Sequence, residues 1–252
     1  QVFSEVEGEP VDAFVVNDLD SLLYVANLAA IPLHIWSARL VDLDAPDWCI
    51  LDLDPKGAPF DHVVQIALAI RALCEEIGLP SFPKTSGASG LHVLLPLGRQ
   101  LTHAQSVVLG QLLANVIAQQ LPAIATTIRA PIEARGGRVY VDALQNGAGR
   151  LIASPLCVRP RPGATVSTPL RWEEVGPGLQ PADFTIKTVP PRLRERGDPL
   201  APVLELKPDL RQALDALEGK LRGQPPAPSP PPEAPEPPAK PGPGKGRKRR
   251  GQ

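Results

Sequence analysis

Asp52-Leu53-Asp54 closes an apolar segment that begins near Asp47. In an extended chain, residues two apart share a face. The two carboxylates then stand side by side, while Cys49, Leu51 and Leu53 turn toward a core. Carboxylates so close repel unless a cation lies between them or one is protonated. Oxygen-only ligands favour Mg²⁺ or Mn²⁺. On spacing alone, a solvated strand end before a turn is the commoner explanation. Arg138-Val139-Tyr140-Val141-Asp142 repeats the pattern, with Arg138, Tyr140 and Asp142 on the face away from Val139 and Val141. Asp142 supplies a third carboxylate if its strand lies beside that of Asp52; otherwise it is a surface aspartate before a turn.

Lys84-Thr85-Ser86-Gly87-Ala88-Ser89-Gly90-Leu91-His92 places a Gly- and Ser-rich loop between two apolar segments. Gly admits close approach of a ligand, and successive N–H groups with Ser hydroxyls can cradle phosphate oxygens. A Walker loop differs, because its Gly-Lys-Ser/Thr leads into a helix. His92 alternates with Val93 and so faces away from that core, although a lone histidine is more often structural. Arg135, Arg150 and Arg159 flank Asp142 in sequence. Their guanidinium forks match phosphate geometry, but singly each reads as surface solvation. Trp36, Trp48 and Trp172 read as core, and His34 beside Trp36 as either core or site.

Several elements must position these groups. Strands are expected at Val11–Val16, Ile31–Trp36, Asp47–Asp54, Ser81–Thr85 and Leu91–Leu97. Others are expected at Ile124–Arg129 and Arg138–Asp142, joined as a hairpin at Gly136-Gly137, and near Phe184–Thr188. Asn146-Gly147 turns the chain into Arg150–Arg159. A helix follows an Asn17 cap, with an apolar stripe at Leu19, Leu22, Leu23 and Ala26. A second runs from an Asp61 cap to Ile77. A third opens at the Thr102/Gln105 capping box and reaches Gln120. A fourth spans about Asp209 to Leu221. The order lacks a regular βαβα alternation, which predicts an α+β fold with a largely antiparallel sheet.

The 252 residues include 32 Pro, and eleven of these fall between Pro225 and Pro243. A catalytic body over residues 1–222 and a disordered, Pro-rich basic tail over 223–252 are therefore expected. The tail carries six basic residues against Glu233 and Glu236, which leaves the body at −5 within a chain of net charge −1. A body that acidic is no general polyanion binder, so any nucleic-acid contact must come from a local patch. No apolar run approaches the roughly 18 residues of a membrane span. Cys49, Cys74 and Cys157, widely spaced and in apolar settings, read as buried free thiols. The chain has no Met and begins with Gln, so it is expected to be a fragment of something longer.

In combination, these segments resemble the polymerase domain of bacterial DNA ligase D, a primase-type nucleotidyl transferase. The resemblance runs from about Val11 to Thr188. It rests on Asp52-Leu53-Asp54-Pro55, on Phe82-Pro83-Lys84-Thr85-Ser86-Gly87 with Gly90-Leu91-His92-Val93, and on Val141-Asp142 with Gln145-Asn146. Val166-Ser167-Thr168-Pro169-Leu170-Arg171-Trp172 is a further block. It implies a primase-polymerase fold that adds ribo- or deoxyribonucleotides to DNA 3′ ends and fills gaps during non-homologous end joining. It also implies that Asp52, Asp54 and Asp142 hold two divalent cations, Mn²⁺ or Mg²⁺. Nucleotide binding would fall to His34, Lys84, Ser86, Gly87, Ser89, His92, Arg135, Arg150 and Arg159. The implied partners are DNA ends or gapped DNA, NTP or dNTP, Ku and a ligase module, with no membrane, in a bacterial cytoplasm near the nucleoid.

Departures accompany the resemblance. Ser89 stands where the family usually carries a phosphate-binding Lys, Ile35 replaces the Pro of a His-Pro-Trp segment, and Leu156-Cys157 replaces a usual Tyr-Ser. The family's N-terminal segment, which grips the 5′-phosphate of a DNA end, has no counterpart here, so uncovered apolar surface is expected. The alternatives are a non-catalytic DNA-end-binding module and a metal-dependent glycosyltransferase, which also uses Asp-x-Asp.

Overall fold

The structure, a computed structural model, describes residues 2–4 and 9–222; the tail expected from residue 223 onward lies outside the described residues. In chain order the first elements are β1 (Val2–Ser4), β2 (Glu9–Val11), α1 (Leu19–Asn27), β3 (His34–Ile35), β4 (Trp48–Asp54) and α2 (Phe60–Glu76). Then come β5 (Phe82–Thr85), β6 (Leu91–Pro96), α3 (His103–Gln120), β7 (Ala125–Thr126) and β8 (Val139–Asp142). The chain continues through β9 (Ile152–Ala153), α4 (Val189–Arg196) and α5 (Leu210–Arg222).

The main sheet has the order β5-β6-β4-β8-β7 and is antiparallel except for the β7–β8 pair, in keeping with the α+β class expected. Its central strand alternates as the residue types require. Cys49, Leu51 and Leu53 are fully buried against Val63, Ile66 and Ile70 of α2 and Leu113 and Ile117 of α3. On the opposite face Trp48 and Ile50 join Leu94, Ile152, Leu200 and Val203 in a second, smaller core. That face turns polar only where β4 ends at Asp52 and Asp54, so apolar cover on one side and an open end on the other create the site. The three cysteines are free and buried, as expected. Among the described residues no helix is long and apolar enough to cross a membrane.

Several elements differ from expectation. The strand expected over Val11–Val16 ends at Val11, and Phe14, Val15 and Val16 lie exposed in irregular chain. Helix α1 is capped by Asp18, which exchanges bonds with Ser21, and not by Asn17. Its expected core stripe is uncovered: Leu19, Leu22 and Leu23 are 67%, 43% and 51% exposed, and Val25 is the buried residue of the helix. Periodicity identifies an apolar face but does not supply a partner for it. Asp61 lies in the first turn of α2, whose N-cap is Pro59. By contrast, α3 opens on the Thr102/Gln105 capping box.

Gly136-Gly137 do not turn a hairpin. They close a 3₁₀ turn, Ile132–Arg135, and β7 runs parallel to β8. Ile31–Trp36 narrows to β3, which pairs with β9 in a separate two-stranded sheet. The strand expected near Phe184–Thr188 is irregular chain, bridged only between Thr165 and Thr185. Helix α4 follows with prolines in its first turn, where a missing N–H costs nothing.

Candidate active site

Strand register assembles the polar end of the sheet. Lys84 on β5 lies opposite His92 on β6, His92 opposite Asp52 on β4, and Asp52 opposite Asp142 on β8. Directly opposed residues point to the same face, with Cβ atoms about 4.5–5.5 Å apart. Asp54, two residues on from Asp52, lies opposite Tyr140. Three acids separated by up to ninety positions therefore share one sheet face. They form the floor of a cavity of about 390 Å³.

Each acid has protein partners. Asp52 Oδ1 lies 3.4 Å from Nε2 of buried His92. Asp54 accepts from Arg135 at 3.2 Å; that guanidinium also donates to the Arg129 carbonyl and stacks 4.5 Å from the centre of the Tyr140 ring. Asp142 accepts from the Leu144 N–H at 2.8 Å, the Tyr140 hydroxyl at 3.1 Å and the Gln145 amide at 3.3 Å. Among the described residues no three His, Cys, Asp or Glu side chains already converge on a single point.

The environments split the carboxyls. Burial pushes Asp142 above the usual carboxylate range, with the charge of Asp52 adding and the Leu144 N–H opposing. Burial pushes Asp52 the same way, but the interaction with His92 and the charges of Lys84 and Arg159 outweigh it and hold it low. His92 is itself lowered, first by burial and then by Lys84, against the pull of Asp52. Its Nδ1 is buried without a partner among the described residues.

The loop after β5 packs closely on itself and on its neighbours. Ser86 Oγ accepts from the N–H groups of Ala88 and Gly90, both at 3.1 Å, which folds the loop over its own hydroxyl. Gly90 must lack a side chain, since a Cβ there would lie 2.0 Å from the Leu53 carbonyl oxygen. Gly87 has φ +69°, and a Cβ would meet Ser167 N at 2.7 Å.

Of the residues expected at the site, His34, Asp52, Asp54, Ser86, Ser89, His92, Arg135, Asp142 and Arg159 line the cavity. Three do not. Arg150 is exposed on the turn after Asn146 and faces elsewhere. Gly87 is covered by Arg159 and Ser167 and acts through the loop's shape. Lys84 is fully buried beneath the cavity wall, its ammonium engaged by protein oxygens. Residues not assigned to the site from sequence also line the cavity: Lys56, Arg129, Tyr140, Gln145 and Arg161. Tyr140 was accessible to the alternation argument, since it shares its strand face with Asp142. Arg129 and Arg161 arrive on irregular chain, where periodicity carries no signal.

The chain matches the family model described as the LigD primase-polymerase domain over residues 1–200. It is 33% identical over 187 residues to the bifunctional non-homologous end joining protein LigD of Bacillus subtilis, a stretch that covers 73% of this chain and 30% of that protein. To the multifunctional non-homologous end joining protein LigD of Mycolicibacterium smegmatis it is 32% identical over 193 residues, 75% of this chain and 25% of the relative. The chain thus spans less than a third of the length of these relatives. Among solved structures, the polymerase domain from Mycobacterium tuberculosis ligase D in complex with DNA is similar with a TM-score of 0.67 at 29% identity. That match covers 73% of this chain and 67% of the other.

Proposed function

The chain belongs to the LigD primase-polymerase family, and from that premise we propose that it transfers nucleotides to DNA 3′ ends, filling gaps and extending ends in break repair. Family membership leaves no place for the nucleotide-sugar alternative. The observation that carries the reading is the register of Asp52 against Asp142, with Asp54 on the same face, beneath a cavity lined by Lys56, Arg129, Arg159 and Arg161. Acid at the floor and base around it suit a polyanion that arrives with divalent cations.

Family members generally depend on divalent metal, and the donor set fits. Asp52, Asp54 and Asp142 offer only hard oxygen ligands, and a cation there would offset both the burial that chiefly raises Asp142 and the charge of Asp52 that adds to it. These three would hold two ions, Mn²⁺ or Mg²⁺. Held there, such ions would supply Lewis acidity to a 3′ hydroxyl and countercharge to a triphosphate.

The chain's own residues bind and orient. Within the loop, the N–H groups of Gly87 and Ser89 make no hydrogen bond among the described residues, and the Ser86 hydroxyl keeps its proton as a donor. These donors suit phosphate oxygens. Arg159, whose Nη1 touches the Ser86 carbonyl at 3.4 Å, adds charge beside them. His34, exposed on β3 and lining the cavity, would contact the sugar. DNA ends or gapped DNA, Ku and a ligase module are the partners of this reading. The M. tuberculosis domain was solved with DNA, which supports the first of them.

The test is incubation of the purified chain with gapped DNA, Mn²⁺ and each NTP or dNTP. Extension by single nucleotides is expected. Asp52→Asn or Asp142→Asn should cut it by about 100-fold or more while thermal unfolding still shows a folded protein. Extension by these variants at the wild-type rate overturns the assignment. DNA binding by the wild type without extension selects the non-catalytic module instead.

A further inference from the structure

We propose that Lys84 is a positioning residue of the nucleotide site: from beneath the cavity its ammonium joins β9 and the segment 165–169 to the sheet that carries the acids. The inference rests on the nucleotidyl-transfer reading for its kinetic consequence but not for its structural one.

A lysine with no exposed surface is uncommon, and burying an ammonium is costly unless hydrogen bonds replace its water. Among the described residues Lys84 has no carboxylate partner. Its Nζ instead donates to Ser167 Oγ at 2.5 Å, the Ala153 carbonyl at 3.1 Å and the Thr85 carbonyl at 3.5 Å. Three donors thus meet three oxygens on three separate stretches of chain. Ser167 Oγ, accepting from the ammonium, spends its own proton on the Thr85 carbonyl at 3.1 Å.

Each acceptor leads to a wall of the cavity. Ala153 is the residue of β9 directly opposite His34 on β3, so the ammonium grips the strand against which His34 is registered. The neighbouring bond, Ser154 N–H to the Leu33 carbonyl at 3.0 Å, continues that pairing. Ser167 lies under the glycine loop, its nitrogen at the point a Cβ on Gly87 would strike. Residues on either side of it hold the loop. Thr165 Oγ1 donates to the Gly87 carbonyl at 2.6 Å, and Thr85 Oγ1 bonds the Val166 carbonyl and the Thr168 N–H. Lys84 itself sits on β5, in register with His92. One side chain therefore sets the spacing between the sugar wall, the phosphate loop and the carboxylate row. Burial pushes its pKa down to about 7 against the pull of Asp52, consistent with an ammonium held for its geometry at a desolvation cost.

Lys84→Met keeps the length of the stem and removes all three donors. Two readouts are expected to move. In hydrogen–deuterium exchange without nucleotide, peptides covering residues 150–168 should exchange about tenfold faster, while those of α3 stay unchanged. In gap filling, the nucleotide KM should rise about tenfold, with kcat at saturating nucleotide within about threefold of wild type. Ser167→Ala, which leaves the ammonium in place, should move both readouts the same way and less. Unchanged exchange at 150–168 overturns the proposal. So does a loss confined to kcat, which would mean contact with the reacting groups. If Lys84→Met does not fold, Ser167→Ala decides alone: unchanged exchange and KM overturn the proposal. If the wild-type chain extends no DNA, the functional reading fails, while the exchange experiment still decides this one.

Discussion

Asn146 offers the sharpest test of how the acids are held in register. On the Ile50 side of Asp52, β8 no longer accompanies β4, and the buried backbone of Ile50 is paired by a side chain instead. Asn146 Oδ1 accepts from the Ile50 N–H at 2.7 Å, and Nδ2 donates to the Ile50 carbonyl at 2.8 Å and to that of Ala143 at 2.8 Å. The residue is fully buried. Asn146→Ala therefore strands an N–H and a carbonyl of Ile50 in a dry interior. At about 1–3 kcal/mol for each buried group left unpaired, the loss is about 4 kcal/mol. For a body of this size that lowers Tm by roughly 8–16 °C. Asn146→Asp keeps the acceptor but turns a carboxylate toward two carbonyls, so at pH 7 it should cost as much. The introduced carboxyl has a raised pKa in the folded state. Its contribution is favourable below the unfolded value and is lost as pH rises through the folded one, so part of the stability returns on acidification. Urea and thermal unfolding followed by circular dichroism at pH 7 and pH 5 measure both effects. A change under about 1 kcal/mol for Asn146→Ala would refute the pairing argument, because substitutions without such a mechanism fall in that range.

The remaining predictions concern the loop and the interior charges. Gly87→Ala forces a Cβ to 2.7 Å from Ser167 N at φ +69°, so it should raise the nucleotide KM and lower stability by about 1–3 kcal/mol in denaturant titrations. Ser89→Lys adds a cation at an exposed position of the cavity, and should lower the nucleotide KM without changing Tm; a raised KM counts against phosphate binding there. With Lys84 lowered from 10.5 to about 7, the unfolded chain binds the extra proton, so stability should rise between pH 7 and about 8.5, by up to about 2 kcal/mol. Above about pH 9 the trend should reverse, since burial raises the Cys49 and Cys74 thiols to about 12 and only the unfolded chain ionises them. Lys84→Met should abolish the rise and keep the reversal.

The parts of the fold that could be read in advance are those where one residue's neighbours decide its state. Strand β4 announces itself because an apolar run over Trp48–Leu51 passes into alternation at Asp52-Leu53-Asp54, and α3 because Thr102 and Gln105 satisfy each other's backbone partners. Where the outcome depends on a distant segment, local signals mislead. Gly136 and Gly137 do adopt the positive φ that a hairpin turn demands, +58° and +74°. Yet the preceding residues coil into a 3₁₀ turn, and Val139 N–H bonds the Ile124 carbonyl in a parallel pairing. Dihedral preference selects a turn, not the partner strand. Helix α1 fails in the same sense, since its stripe is apolar but nothing among the described residues covers Leu19, Leu22 and Leu23.

The site divides along the same line. Alternation alone puts Asp52 with Asp54 and puts Tyr140 with Asp142, but only register decides whether the two pairs meet. Register depends on bonds that lie outside the acids: the Asn146 side chain that completes β4, and the missing side chain of Gly90, which lets the loop after β5 close over the Leu53 carbonyl. A one-residue slip of β8 would send Asp142 to the α2–α3 face, into a fully apolar core, and bring Val141 to the cavity. The cost of burying that carboxylate without partners is several kcal/mol. The acids therefore also act against misregistration, and their placement at strand ends is explained by folding as well as by chemistry. Substitution to Asn keeps much of this polarity while removing the charge, and that is why Asn separates the catalytic role from the structural one where Leu would confound them.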